Sequence, residues 1–187
     1  MDQLLQKALR LETEAQLIFE DLNLDSFFKE YGQVQPVGSM TYGLMTWEDI
    51  DIDLITEDIP SDELFWKIAK FLLKNKHTRL LMLADNRTGL RESNRPKSMY
   101  FGLKYEDDDN VEWKIDIRLI QRKEVKTLPG WMRSIDNDKR TTIIQIKDRL
   151  KDDPRYHRTI SSVDVYDAVI NHKISSYDLF LNWIENR

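Results

Sequence analysis

The most unusual pattern in this sequence lies within VGSMTYGLMTWEDIDIDLIT, residues 37–56. Acidic and apolar side chains alternate there, as Asp49, Ile50, Asp51, Ile52 and Asp53. Alternate residues of a β-strand point to the same face, so this spacing predicts a strand with carboxylates along one face. Like charges on one face destabilise a strand, and we therefore expect a cation to stabilise this one.

A second strand pattern, WKIDIRLI over residues 113–120, carries a further carboxylate, Asp116, between Lys114 and Arg118. It follows the run SMYFGLKYE (98–106), and the acidic stretch between the two runs predicts the turn of a β-hairpin. Taken alone, such a charged face is typical of a solvent-exposed ladder in which opposite charges pair across strands. Taken with the first strand, Asp116 is a candidate third acid of one site.

Carboxylates at alternate positions of a strand lie about 7 Å apart at the backbone, and their oxygens can converge on divalent cations. Mg²⁺ prefers such oxygen ligands and keeps water or phosphate in its remaining positions. A pair of such ions activates an attacking hydroxyl and stabilises a leaving phosphate oxygen. Gly38 and Ser39 add a tight turn whose backbone and hydroxyl groups can approach a phosphate closely. The pattern therefore predicts a site for a divalent metal and a phosphorylated ligand.

Three parts of the sequence form an ordered series: Val37-Gly38-Ser39, then Asp49-Ile50-Asp51, and later Asp116. This series resembles the motif of the nucleotidyltransferase superfamily related to DNA polymerase β. The stretch GLMTWEDIDI is most similar to the small bacterial branch that includes the lincosamide and aminoglycoside nucleotidyltransferases. The likeness covers residues 33–121, whereas the flanking helices match only in general character.

The resemblance implies a role for each part of the motif. Asp49 and Asp51 would hold catalytic Mg²⁺ or Mn²⁺, with Asp116 as a further metal ligand and as the general base for the acceptor hydroxyl. Gly38 and Ser39 would bind the β- and γ-phosphates of a nucleoside triphosphate such as ATP, which is the co-substrate in this family.

The order of helical and strand patterns predicts an α+β fold. We expect a short mixed β-sheet with helices on one face and the aspartates exposed on the other, followed by C-terminal helices. Residues 1–122 would form the nucleotidyltransferase-like core with its N-terminal helix, and residues 123–187 a helical segment that closes the cleft. Within the core, Asp51 and Asp53 have the same spacing as Asp49 and Asp51, so either pair can be the metal pair.

Composition narrows the classes of function. The 187 residues carry a net charge of −5 and no cysteine, which argues against a nucleic-acid partner and against a thiolate metal site. The first residues lack the apolar core of a signal peptide, and no apolar run is long enough to span a bilayer. We therefore expect a cytoplasmic protein without a membrane partner. The sequence carries no signature of its oligomeric state.

The leading hypothesis is a metal-dependent enzyme that transfers a nucleoside monophosphate from a nucleoside triphosphate to a hydroxyl of a small-molecule acceptor, releasing pyrophosphate. Two alternatives are a nucleotidyltransferase of the antitoxin type, which modifies a protein, and a catalytically silent nucleotide-binding domain. Further candidates for contacts with the triphosphate are Lys104, Lys114, Arg118 and Arg140. Trp47 is a candidate for stacking on a base, and core packing is the main expectation for Tyr166.

Overall fold

The computed structural model describes residues 3–88, 96–125, 132, 135–156 and 158–187. The chain forms two compact units, neither of which is continuous in sequence. The first, which we call the helical unit, comprises Met1–Glu12, Tyr42–Trp47 and Leu128–Arg187. The second, the sheet unit, comprises Thr13–Thr41 and Glu48–Thr127. The domain boundary expected near residue 122 remains a prediction.

A five-stranded mixed sheet forms the centre of the sheet unit. Its strands are β1 (Gln33–Val37), β2 (Asp49–Thr56), β3 (Thr78–Asp85), β4 (Ser98–Glu106) and β5 (Glu112–Gln121), in the spatial order β1-β2-β5-β4-β3. Strands β2 and β5 are parallel, and every other neighbouring pair is antiparallel. The predicted α+β class and the predicted hairpin of β4 and β5 are thus confirmed.

One face of this sheet is apolar because the strands alternate apolar and polar residues. Fully buried on it are Ile50, Ile52, Trp113, Ile115 and Ile117. Helix α4 (Asp62–Leu72) lies on this face, where the ring centroids of Phe65 and Phe101 are 4.7 Å apart. Ser61 is the N-cap of this helix, where its side chain accepts a hydrogen bond from the backbone N–H of Leu64. The charged residues of β2 and β5 consequently lie on the opposite face.

Three further helices precede β2 in the chain. They are α1 (Gln3–Asp21), α2 (Leu24–Phe28) and the short α3 (Gly38–Thr41). Helix α1 begins in the helical unit and continues into the sheet unit. Helix α3 follows β1 directly, so the Gly38-Ser39 pair opens a helical turn at the end of a strand.

The helical unit is built on α5 (Asn137–Leu150), α6 (Ser162–Ile170) and α7 (Tyr177–Glu185). Each helix has an Asp or Ser side chain at its N-cap that accepts a backbone N–H from its first turn. Buried side chains from these helices form a core that includes Ile143, Leu150, Val165 and Phe180. No helix among the residues described here is both long enough and apolar enough to cross a membrane.

Candidate active site

The register of β2 and β5 brings the predicted acids together on one face of the sheet unit. Asp51 is paired directly with Asp116, Asp49 with Lys114, and Asp53 with Arg118. Paired residues on adjacent strands point to the same face and lie about 4.8 Å apart. The predicted acids of both strands therefore share one surface.

These acids are less exposed than the sequence pattern led us to expect. The side chains of Asp49 and Asp116 are 19% and 23% exposed, and that of Asp53 is 4% exposed. Partial burial matters because removing a carboxylate from water disfavours its charged form unless a partner compensates. How strongly the charged form of each acid is disfavoured therefore depends on the cations and hydrogen-bond donors beside it.

Both carboxylate oxygens of Asp53 accept hydrogen bonds from Arg118. Arg118 donates from Nε to Oδ1 of Asp53 at 2.7 Å and from its terminal nitrogen to Oδ2 at 2.8 Å. This bidentate geometry is the strongest form of an arginine–carboxylate pair. The pair neutralises the Asp53 carboxylate within the chain, which favours Asp49 and Asp51 over Asp51 and Asp53 as the metal pair.

Asp49 and Asp116 share a single cation. The Lys114 ammonium lies 3.2 Å from Oδ1 of Asp49 and 2.7 Å from Oδ2 of Asp116. Burial lowers the pKa of Lys114, but its hydrogen bonds and charge interactions with these two acids outweigh burial and raise that pKa above its ordinary value. Lys114 thus remains charged and bridges the two acids.

Asp51 is the acid whose ionisation is most disfavoured. Burial and, after it, the charges of Asp49 and Asp116 together raise its pKa to about 7. Such a shift marks candidate functional sites, because surplus charge is held there in a partly dry environment. In the metal-free protein, a proton on Asp51 reduces this charge; a bound cation would do the same.

Gly38 lies directly against Asp51. Its neighbour Val37 is paired with Asp51 across β1 and β2, and Gly38 adopts a φ of 69°. A Cβ atom at position 38 would collide with the Asp51 carboxylate, so both the backbone conformation and the space require glycine. Ser39 follows in the first turn of α3. The glycine–serine pair therefore lies beside the acids, as the motif predicts.

The donor set agrees in chemistry with a divalent metal, since three carboxylates share one surface and carry a surplus of negative charge. Their side chains are not gathered around a single point: among the described residues, no three Asp, Glu, His or Cys side chains are placed to hold one ion. The ammonium of Lys114 lies between two of the three acids. A metal ion would need to replace this ammonium.

Comparison with solved structures places this geometry among known folds. The Cid1 poly(U) polymerase bound to MgATP matches with a TM-score of 0.65 at 16% sequence identity, over 88% of this chain and 51% of that one. A second Cid1 structure, described for its RNA terminal uridylyl transferase activity, gives 0.64 at 16% over 87% of this chain. These neighbours are nucleotidyltransferases. The chain has their fold.

A cytoplasmic RNA terminal U-transferase has a TM-score of 0.51 at 15% identity, over 75% of this chain and 40% of that one. This chain spans about half the length of the Cid1 structures that it matches. No protein-family model matches the sequence. No curated protein matches it either. The similarity to the nucleotidyltransferases is therefore one of fold, and the bacterial antibiotic-modifying branch is not confirmed.

Two residues beside Asp116 were missed by the sequence reasoning. The Tyr100 hydroxyl donates to Oδ1 of Asp116 at 2.6 Å, and Gly102 is paired with Asp116 across β4 and β5. Both lie in the run SMYFGLKYE, in which the sequence analysis gave a candidate functional role to Lys104 alone. The available signal was the predicted hairpin itself, which places this run next to the strand of Asp116; the register that pairs Gly102 with Asp116 came from the structure.

The remaining candidates have partners of their own. Lys104 donates to Glu112 at 2.8 Å. In the helical unit, Arg140 donates to the carbonyl oxygens of Tyr42 and Gly43 at 3.1 and 3.3 Å. Arg140 therefore holds the backbone of the 42–47 segment, a role that differs from the phosphate contact considered above.

A lysine that the sequence did not single out holds the same segment. Lys147 is fully buried, and its ammonium donates to the carbonyl of Leu44 at 2.6 Å. It also lies 5.0 Å from the ring centroid of Trp47 and 5.9 Å from that of Tyr166. Trp47 and Tyr166 thus pack around a buried cation inside the helical unit.

Proposed function

We propose that this chain is a metal-dependent nucleotidyltransferase that transfers a nucleoside monophosphate from a nucleoside triphosphate to a hydroxyl of a small-molecule acceptor. The observation that carries the proposal is the cluster of Asp49, Asp51 and Asp116 on one face of the sheet. The cluster holds more negative charge than its local cations balance, and it lies against the Gly38 turn.

Asp49, Asp51 and Asp116 would hold the divalent cation, Mg²⁺ or Mn²⁺. When bound, such a cation neutralises phosphate charge and stabilises the leaving oxygen in phosphoryl transfer. Asp53 is excluded from the proposed set because a single arginine, Arg118, neutralises it through both oxygens and its side chain is only 4% exposed. Gly38 and Ser39 would bind the β- and γ-phosphates through the turn that opens α3.

Asp116 would accept the proton of the acceptor hydroxyl. The hydroxyl oxygen then forms a bond to the α-phosphorus, while the bond between that phosphorus and the oxygen bridging to the β-phosphorus breaks. Pyrophosphate leaves with the electron pair of the broken bond. The protein's contribution is mainly to orient the reactants and to place charge, as in other phosphoryl transfers.

The charges on this face favour a small acceptor. Lys104, Lys114 and Arg118 are each paired with a carboxylate, and the net charge of the chain is −5. Binding of a long nucleic acid draws mainly on cations that are available to its phosphates. A hydroxylated and cationic acceptor would suit the surplus negative charge better.

An RNA 3′ end is the second candidate acceptor. The observation in its favour is the likeness in fold to the Cid1 poly(U) polymerase and to a terminal U-transferase, which act on RNA. Modification of a protein side chain and nucleotide binding without transfer are the further alternatives that the sequence left open.

The test is an assay of pyrophosphate release with each nucleoside triphosphate and Mg²⁺ or Mn²⁺. Acceptors would comprise aminoglycosides, lincosamides, short single-stranded RNA and whole-cell protein extract, with an α-labelled nucleotide to detect the product. We expect release that depends on a small hydroxylated compound and is lost in Asp51→Asn. If label is transferred only to RNA or only to protein, that molecule is the acceptor and the proposal of a small-molecule acceptor is wrong. Nucleotide binding without transfer to any acceptor would contradict the enzyme proposal.

Lys104→Met is the matched control for this assay. It removes a cation from the same face of the sheet but leaves the acids and the Gly38 turn unchanged. Transfer to a small acceptor should persist in this variant.

A further inference from the structure

Asp116 has a different kind of partner at each of its two carboxylate oxygens. Oδ2 accepts from the Lys114 ammonium at 2.7 Å, and Oδ1 accepts from the Tyr100 hydroxyl at 2.6 Å. The ammonium is a charged group on a flexible side chain that is 58% exposed. The phenol is neutral, half-buried and rigid beyond its first two torsions. Of the two partners, the tyrosine is the one suited to fixing the orientation of the carboxylate.

Space for the Tyr100 side chain comes from Gly102. A Cβ atom at position 102 would lie 2.6 Å from the Tyr100 hydroxyl and 3.0 Å from two atoms of its ring. The only glycines with positive φ in the described chain are Gly38 and Gly43, so the backbone at Gly102 does not itself require glycine. Gly102 therefore provides room for the ring that reaches across it to Asp116.

The hydrogen bond from Tyr100 is compatible with a bound cation. A phenol donates one hydrogen bond and brings no positive charge, so it does not repel a metal ion at the other carboxylate oxygen. Burial and the hydrogen bond to Asp116 raise the pKa of Tyr100, which keeps the phenol protonated and able to donate. Groups that hold a metal-binding carboxylate in this way commonly orient it and tune its affinity.

We propose that Tyr100 is the positioning residue of Asp116, and that Gly102 provides the space that the Tyr100 side chain needs. The inference rests on the proposed function, in which Asp116 is a metal ligand and the general base. The hydrogen bond at Oδ1 holds the carboxylate in one rotamer. Oδ2, which now accepts from Lys114, would be the oxygen left to hold a cation or to accept the proton of the acceptor hydroxyl.

Tyr100→Phe tests the proposal because it removes the hydroxyl and keeps the ring. We expect the affinity for Mn²⁺, measured by electron paramagnetic resonance without nucleotide, to fall about 10-fold, within the range typical of such supporting residues. In the transfer assay, kcat should fall by a similar factor while the KM for the nucleotide changes by less than about 3-fold.

Tyr105→Phe is the matched control. Tyr105 lies on the same strand, and its hydroxyl donates to Oδ2 of Asp21 at 2.9 Å, so the variant also removes a tyrosine–aspartate hydrogen bond. Asp21 lies at the end of α1 and is not among the acids of the site. We expect lower thermal stability without loss of Mn²⁺ affinity. Equal losses of Mn²⁺ affinity in the two variants would show that Tyr100 contributes only to the stability of the fold, and would overturn the inference.

Gly102→Ala provides a second, independent test. The added methyl group would displace the Tyr100 side chain while leaving both functional groups in the chain. It should reproduce the loss of Mn²⁺ affinity in Tyr100→Phe, and the double variant should lose less than the product of the two single effects. Full multiplicativity, or an alanine variant with wild-type affinity, would contradict the role of Gly102.

The outcomes separate this inference from the proposed function. A wild-type protein that binds Mn²⁺ and transfers nucleotide, with Tyr100→Phe equal to it in both assays, would overturn the inference alone. A wild-type protein that binds no Mn²⁺ at any concentration up to the millimolar range would overturn both.

Discussion

The two halves of the β2–β5 pair differ in how the negative charge of their carboxylates is neutralised. Toward the end of the strands, Asp53 faces Arg118 and the two form a bidentate pair. Two residues earlier, Asp51 faces Asp116, another carboxylate, and Lys114 is the shared cation of that region. One half is neutralised by the protein itself, and the other retains a surplus of negative charge. On the proposed function, a cation from outside the chain would balance the second half.

The largest effect should come from removing the central acid of the charged half. Asp51→Asn keeps the size of the side chain but lacks a charged ligand, so we expect nucleotide transfer to fall about 1,000-fold, equivalent to about 4 kcal/mol. The metal-free protein should be as stable as the wild type or more so, because repulsion is relieved. If the variant instead unfolds while its folded fraction keeps full activity, Asp51 is structural.

The pH dependence of stability should reveal the surplus negative charge around Asp51. The pKa of Asp51 is raised to about 7 by burial and by its acidic neighbours, whereas in the unfolded chain it lies near 3.9. The folded protein therefore binds the proton more tightly, and this contribution to the free energy of unfolding increases as pH falls from about 7 to about 4. The increase is on the order of 3 kcal/mol for the metal-free protein.

Urea unfolding of the wild type and Asp51→Asn at pH 5 and pH 8 measures this effect. The difference between the two proteins isolates Asp51 from all other titrating groups. A divalent cation added at pH 8 should restore stability to the wild type and have less effect on the variant. A difference that does not change with pH would show that Asp51 ionises normally in the folded state.

Breaking the neutral half should affect folding more than metal binding. Arg118→Met leaves the 4% exposed Asp53 without its partner, and we expect a loss of about 3 kcal/mol. Asp53→Asn should cost less, about 1 kcal/mol, because Arg118 is 39% exposed and water can hydrate it. Chemical denaturation checks the asymmetry. Mn²⁺ affinity should change by less than a factor of about 3 in Asp53→Asn, and a large drop would return Asp53 to the metal set.

The smallest predicted effect concerns the shared cation. Lys114→Met removes the ammonium that lies on Asp49 and Asp116, so Mn²⁺ should bind about 5-fold more tightly, equivalent to about 1 kcal/mol. Lys114→Arg retains the charge and serves as the control. The measurement is a Mn²⁺ titration at low ionic strength, and the gain should shrink as salt is added. Weaker binding in the methionine variant would mean that Lys114 supports the metal site.

Local pattern was enough to predict the strands and the acids. The alternation of acidic and apolar residues from Asp49 to Asp53 predicts a strand where β2 is found, and the C-terminal part of the chain is helical as expected. Both are local signals, since a strand or helix repeats its period within a few residues. The likeness to a known motif then joined Asp49, Asp51 and Asp116 into one candidate site before any register was available.

The supporting residues of the site and the burial of its acids could not be predicted, because they depend on contacts between residues distant in the sequence. Tyr100 became relevant only because the register of β4 and β5 brings it over Gly102 and within reach of Asp116. The degree of burial was also misjudged, because a polar face on a strand does not reveal what else surrounds it. Arg118 resembled a phosphate contact in sequence, and its partnership with Asp53 required the parallel pairing of β2 with β5.

The hydrogen bond from Lys147 to Leu44 has a consequence for how the chain emerges during synthesis. The two residues are separated by 103 positions, and a ribosome adds about 5–20 residues per second. For about 5–20 s after Leu44 is made, the segment between the glycine turn and the aspartates has no Lys147 to hold it. The motif is therefore translated well before the lysine that holds the adjacent segment. A nascent chain halted before helix α5 would carry every acid of the site but would lack the hydrogen bond from Lys147 to Leu44.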